Sequence, residues 1–126
     1  MRKMKNKNRW LVVLALLAST TIWVVSKAYN PIDGWSWIGA LPIEDTEYAK
    51  GYTNENYRRI VIGMSKQDVL KNLGEPLVYW TAMDDSERNR IRMSYTRSPG
   101  STDYRRRVIV LENDRVVEIQ SEYWVD

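Results

Sequence analysis

The stretch Gly63-Met64-Ser65-Lys66-Gln67-Asp68-Val69-Leu70-Lys71-Asn72-Leu73-Gly74-Glu75-Pro76 is a helix with both ends written into it. Ser65 is a good N-cap, and Asp68 three positions later completes a capping box with the shorter acid. Val69, Leu70 and Leu73 make an apolar stripe at helical spacing. Gly74 supplies a left-handed stop and Pro76 forbids continuation. Gly63 marks the end of whatever precedes it.

Upstream, Asn54 to Ile62 predicts a shorter helix, with Asn54 as cap, Glu55 in the first turn, and Tyr57, Ile60 and Val61 on one side. Gly63 separates it from the helix starting at Ser65, so the pair forms an αα-hairpin-like unit. After Pro76 the period changes from helical to alternating. Leu77 to Thr81 reads as a strand, closed by the acidic turn Asp84-Asp85-Ser86-Glu87. Arg90 to Arg97 alternates, with Ile91, Met93 and Tyr95 on one face and Arg90, Arg92 and Ser94 on the other. Ser98-Pro99-Gly100-Ser101 makes a loop, Arg105 to Glu112 the next strand, Asn113-Asp114 a two-residue hairpin turn, and Arg115 to Trp124 the last strand.

Choosing Ile109, Leu111, Val117 and Ile119 as core places Arg106, Glu118, Gln120 and Glu122 on the outer face, with Arg90 and Arg92 on the same side. That arrangement suits cross-strand ion pairs, which specify register more than stability. The predicted fold class is α+β: an N-terminal transmembrane or signal-anchor helix, then two short helices packed on a three- to four-stranded antiparallel sheet.

These motifs carry a resemblance. Gly63-Met64-Ser65, Val69, Leu73-Gly74 and Pro76, then Tyr95 to Gly100 with its Pro-Gly, and the closing hairpin from Val108 to Ile119 resemble the small protein A/outer membrane lipoprotein A (SmpA/OmlA, BamE-like) family over roughly Thr53 to Gln120. The resemblance implies a helix–helix–strand fold and a non-catalytic role in a bacterial envelope assembly. Members are typically lipoproteins. The chain has no Cys, so a lipid anchor is excluded and it departs from the family pattern there.

The N-terminus is a cationic head followed by an uncharged run from Trp10 to Val25 (WLVVLALLASTTIWVV). This directs the chain to a membrane with its basic side cytoplasmic. Trp10, Leu11, Leu14, Leu17, Trp23 and Val25 are the expected membrane-segment residues. The run is shorter than the roughly 20 residues of a usual span, and Ser19, Thr20 and Thr21 dilute its centre. Trp10, Trp23 and Tyr29 nevertheless sit where interfacial aromatics anchor a spanning helix. An uncleaved anchor is the expected fate; Ser26-Lys27-Ala28 leaves open a cleaved signal and release into the periplasm. The expected organisation is 1–28 head and anchor, 29–52 linker with an aromatic patch, and 53–126 folded domain.

Charge and composition narrow the function. Arg2, Lys3, Lys5, Lys7, Arg9 and Lys27 precede all 16 acidic residues, so the formal net charge of +3 comes from the head, and nucleic acid is not expected as a partner. With neither Cys nor His, thiolate and imidazole chemistry is absent, no conventional catalytic triad can form, and no enzyme activity, cofactor, metal or small-molecule substrate is expected. Asp84, Asp85 and Glu87 lack the spacing of a Ca²⁺ loop and read as a solvated turn, as do Glu44, Asp45 and Glu47.

Trp35 and Trp37, apolar for a linker, lie on the membrane surface or cap the core, or else dock a partner. With Tyr95 and Arg97 they are the candidate partner contacts. Arg105 and Arg107 are candidates for lipid headgroups or an acidic partner, against a solvated or cross-strand-paired reading; on a strand Arg106 faces away from both.

The expected function is a membrane-tethered adaptor or accessory subunit, single-pass in the bacterial inner membrane with its C-terminal domain in the periplasm. It would bind protein subunits of a larger envelope complex. The alternative is an inhibitor or immunity-type protein acting on one target enzyme.

Overall fold

A computed structural model describes residues 6–35, 44–81 and 89–125 of the chain. It divides into two compact units, Met1–Leu41 and Pro42–Asp126.

The described part of the first unit begins with a helix. α1 covers Asn6–Ala28, and its segment Asn8–Ala28, 21 residues containing an 18-residue window with a mean hydropathy of 1.9, is long and apolar enough to cross a membrane. At 1.5 Å per residue such a helix rises about 31 Å, against about 30 Å of bilayer hydrocarbon. The hydroxyls at its centre do not break it. Ser19 donates to the Ala15 carbonyl at 2.8 Å, Thr20 to that of Leu17 at 2.9 Å and Thr21 to that of Leu17 at 2.8 Å. Each polar group is satisfied within its own helix, the condition for placing it in hydrocarbon. The helix runs through Ser26-Lys27-Ala28 and is longer than the uncharged run suggests. Next comes a small antiparallel hairpin, β1 (Tyr29–Asn30) with β2 (Gly34–Trp35).

The second unit mixes helix and antiparallel sheet. β3 (Glu47–Tyr48) precedes α2 (Asn54–Arg58) and α3 (Lys66–Leu73); β4 (Val78–Thr81), β5 (Arg90–Ser94), β6 (Thr96–Arg97), β7 (Tyr104–Glu112) and β8 (Arg115–Trp124) follow. The main sheet has the order β4-β5-β7-β8, and β3 pairs with β6 as a separate two-stranded ribbon. α3 has its expected ends: the Ser65 hydroxyl accepts from the Asp68 N–H at 3.2 Å and donates to the Asp68 carboxylate at 2.6 Å, and Gly74 follows at φ 72°. Its ψ of −163° lies outside the left-handed helical well, in a region that only glycine enters freely. Val69 and Leu73 are fully buried.

α2 is shorter than its sequence pattern. It is capped by Thr53, whose hydroxyl accepts from the Asn56 N–H at 3.1 Å, and not by Asn54. It stops at Arg58 because the following chain pairs with β8: Gly63 N–H donates to the Val116 carbonyl at 2.7 Å, and Val116 N–H to that of Met64 at 2.9 Å. Tyr57 and Ile60 are buried, but Val61 is exposed, contrary to expectation.

β8 holds a second correction. The register slips between Val110 and Leu111, so Leu111 pairs with Val116 while Ile109 pairs with Ile119. Val117 is the extra residue of a β-bulge and is exposed, whereas Val116 is buried in its place. The turn before it is as expected, with Asn113 and Asp114 both at positive φ, 51° and 60°. The strand predicted over Arg90–Arg97 divides at Tyr95. β5 lies beside β4, whereas β6 beyond it lies beside β3.

Among its described residues, the stretch 29–52, read as a linker, thus contains three short strands. The part from Glu44 on is tied to the folded unit, through Ala49 N–H to the Tyr95 carbonyl at 2.9 Å and Arg105 N–H to the Thr46 hydroxyl at 2.9 Å.

Candidate membrane anchor and interaction surface

Along α1, the expected membrane residues Trp10, Leu11, Leu14, Leu17, Trp23 and Val25 are all exposed to their surroundings. They belong to a helix apolar on every side, which suits lipid better than one face of a core. Beyond it Trp35 is exposed and lies across from Tyr29, with ring centroids 5.3 Å apart. Trp37, Asp84, Asp85 and Glu87 lie outside the described residues.

In the second unit strand alternation sorts the side chains. One face of β7 carries Arg105, Arg107, Ile109 and Leu111, and it is covered by α2: the Tyr57 hydroxyl donates to the Gln120 carbonyl at 2.7 Å. Arg107 is fully buried there. Its guanidinium donates to the Tyr52 hydroxyl at 3.2 Å and to the Arg106 carbonyl at 2.9 Å, and lies 5.8 Å from the centre of the Tyr57 ring. Arg105, nearly as buried, pairs with Glu44 at 3.1 Å and lies over Tyr123. Neither side chain is presented to a lipid or an acidic partner; both hold the fold together, with their hydrophobic stems packed and their charge met internally.

Of the other two contact candidates in this unit, one is buried in the fold and the other lies at its surface. Tyr95 is fully buried and donates to the Gly74 carbonyl at 3.0 Å. Burial raises its phenol pKa, with the charges of Tyr79 and Glu75 adding to the effect. Arg97 is exposed but forks onto Glu47, Nε at 2.7 Å and Nη2 at 3.1 Å from the two carboxylate oxygens. That bond holds the Glu47 carboxyl below its ordinary value.

The acids Glu44, Asp45 and Glu47, expected as a solvated turn, form a strap over the loop that follows β6. Asp45 accepts from the Ser98 hydroxyl and from the Gly100 N–H, each at 2.6 Å, and the Ser98 bond is the main cause of its lowered pKa. Each carboxylate has its own partner, and among the described residues no group of acids converges as a metal site would require.

The face of the sheet away from α2 is exposed along its edges, while Val108 and Val110 at its centre are buried. Register puts Val78, Trp80, Arg92, Arg106, Val108, Val110, Glu118, Gln120, Glu122 and Trp124 there. Long side chains carpet it: Arg106 pairs with Glu122 at 3.2 Å, bonds Gln120 at 3.1 Å and lies over Trp124, while Arg90 pairs with Glu112 at 3.4 Å. The expected outer-face pairing is present, but β7 stands between the arginines of β5 and the glutamates of β8, so β5 pairs with β7 instead.

Trp80 on one edge strand and Trp124 on the other are each more than two-fifths exposed. They flank a groove of about 280 Å³ lined also by Val78, Arg97, Tyr104 and Ser101, the last at a positive φ of 52°. Sequence reasoning missed this pair. Trp80 and Trp124 each sit at a solvent-side position of a strand, and only strand order brings them to one groove.

No protein-family model matches the chain, and neither curated proteins nor solved structures give a match.

Proposed function

We propose that this chain is a membrane-tethered accessory protein, non-catalytic, that holds an α+β interaction unit beside a larger envelope complex. The observation that carries the reading is the join between α1, apolar on all sides and of spanning length, and a separately folded unit with an aromatic groove. Arg2, Lys3, Lys5, Lys7 and Arg9 before the span, against Lys27 alone near its other end, favour a cytoplasmic head and a periplasmic C-terminal unit in the inner membrane. The helix–helix–sheet order supports kinship with the small protein A/outer membrane lipoprotein A family, with a protein span in place of the lipid.

Protein subunits are the proposed partners, with Trp80 and Trp124 as their anchors, since exposed tryptophan dominates contact energetics. Tethering raises the effective concentration of such a surface beside a membrane complex. The test is crosslinking of tagged full-length protein in its native membranes, followed by detergent purification, identification of co-purifying chains and intact-mass measurement. A stoichiometric partner together with a retained N-terminus is the expected result. A cleaved monomer without partner would overturn the proposal and favour a soluble inhibitor; replacing the span by a cleavable signal would then leave function intact.

A further inference from the structure

We infer that the β1–β2 hairpin is an interfacial aromatic anchor, seated at the headgroup level of the lipid surface where α1 leaves the membrane. This rests on the spanning reading of α1 proposed above. Helix and hairpin are continuous, since α1 ends at Ala28 and β1 begins at Tyr29. The turn is built to keep its shape: Asn30 Oδ1 accepts from the N–H groups of Ile32 at 2.8 Å and Asp33 at 3.2 Å, and Gly34 takes a φ of 76°. Asn and Gly are the residues for which this local closure is cheapest.

The closure sets Tyr29 opposite Trp35, their rings tilted by 57°. Both rings remain open to their surroundings, 50% and 62% exposed. Two amphipathic rings held together this way fit the headgroup zone, where their apolar bodies are buried while the phenol O–H and indole N–H stay wet.

Depth agrees. From Trp10 to Ala28 the helix rises about 27 Å at 1.5 Å per residue, close to the ~30 Å of hydrocarbon. Trp10 therefore reaches one interface when Tyr29 and Trp35 reach the other. Lys27, in the last turn of α1, stands at the level of the lipid phosphates. The hairpin thus fixes how deep the span sits, where a flexible linker would leave it free to slide.

Because the chain has no Cys, an Ile32→Cys substitution gives one addressable thiol. The full-length protein, labelled there with an environment-sensitive dye, is placed in phosphatidylcholine–phosphatidylglycerol vesicles carrying a nitroxide either at the headgroup or deep in the acyl chain. The expected result is a blue-shifted emission, quenched more strongly by the headgroup nitroxide, and loss of that quenching when Tyr29→Ser and Trp35→Ser are combined. The swap Tyr29→Trp with Trp35→Tyr keeps the ring pair and should retain the quenching. Water-like emission from protein that resists alkaline carbonate extraction would overturn the anchor and leave the span standing. Quenching unchanged in the double serine variant would overturn the role of the rings. Release into carbonate would overturn both the anchor and the spanning reading.

Discussion

Gly51 and Gly74 meet backbone to backbone: a Cβ added to Gly51 would lie 2.7 Å from the Leu73 carbonyl oxygen and 3.2 Å from the Gly74 Cα. The contact brings the segment between β3 and α2 against the end of α3, where Gly74 also needs its positive φ. Gly51→Ala is expected to destabilise the fold by about 1–3 kcal/mol, the usual cost of overpacking where backbone cannot yield. Gly63→Ala meets nothing within 4 Å, so its penalty comes from φ alone and should be the smaller. Denaturant titration of both variants checks the order.

The arginines of β7 should divide by parity. Arg107→Ala removes a fully buried side chain with its bonds to Tyr52 and the Arg106 carbonyl, and should cost about 2–4 kcal/mol. Arg106→Ala loses partly exposed pairing with Glu122 and should cost about 0–1 kcal/mol. Equal losses at the two positions would contradict the burial assigned to Arg107.

Acid should loosen the strap over the loop after β6. The carboxyls of Asp45 and Glu47 are held below their ordinary 3.8 and 4.5 by Ser98 and Arg97 respectively. A depressed folded pKa contributes stability that is present above the unfolded value and is lost as pH falls through the folded one. Thermal stability should therefore decline below about pH 4, less steeply in Asp45→Asn. Exchange of the Gly100 N–H, bonded to Asp45, reports the release directly.

Alkali acts on the opposite side. Burial first, and then the hydrogen bond to Glu75, push the Tyr79 phenol to about 12, and burial also raises Tyr95. A raised folded pKa contributes stability that is complete below 10 and is lost as pH rises through about 12. Glu75→Gln should lower the Tyr79 pKa yet leave it above 10, because burial is the larger cause. Ring-labelled tyrosine NMR across this range distinguishes the two groups.

The proposed contact surface makes a separate demand. Trp80→Ala and Trp124→Ala, at exposed positions, should reduce recovery of a crosslinked partner while moving the melting midpoint little. Full partner recovery in the double variant would place the contact elsewhere on the molecule.

Much of the architecture is local and was legible as such. Ser65 and Asp68 bracket the start of α3, Gly74 and Pro76 its stop, and Asn113-Asp114 the final turn, because caps and turns act over a few residues. The apolar run of α1 is legible for the same reason, and the helix continues past it to Ala28, where the Ser26 hydroxyl donates to the Trp23 carbonyl. Which residue of Val116 and Val117 is core was not legible, since both are β-branched and a one-residue bulge exchanges their faces.

Tertiary structure alone decided the roles of the charges and rings. Glu44, Asp45 and Glu47 look like a solvated run until pairing of β3 with β6 sets them over Arg105, Ser98 and Arg97, fifty or more positions away. Arg107 looks like a surface cation until α2 closes over it, and Trp80 and Trp124 look unrelated until the order β4-β5-β7-β8 brings them to one groove. The physical reason is range. Periodicity and capping are written in neighbouring residues, whereas burial of a charge and convergence of aromatics depend on which distant strands the chain sets side by side.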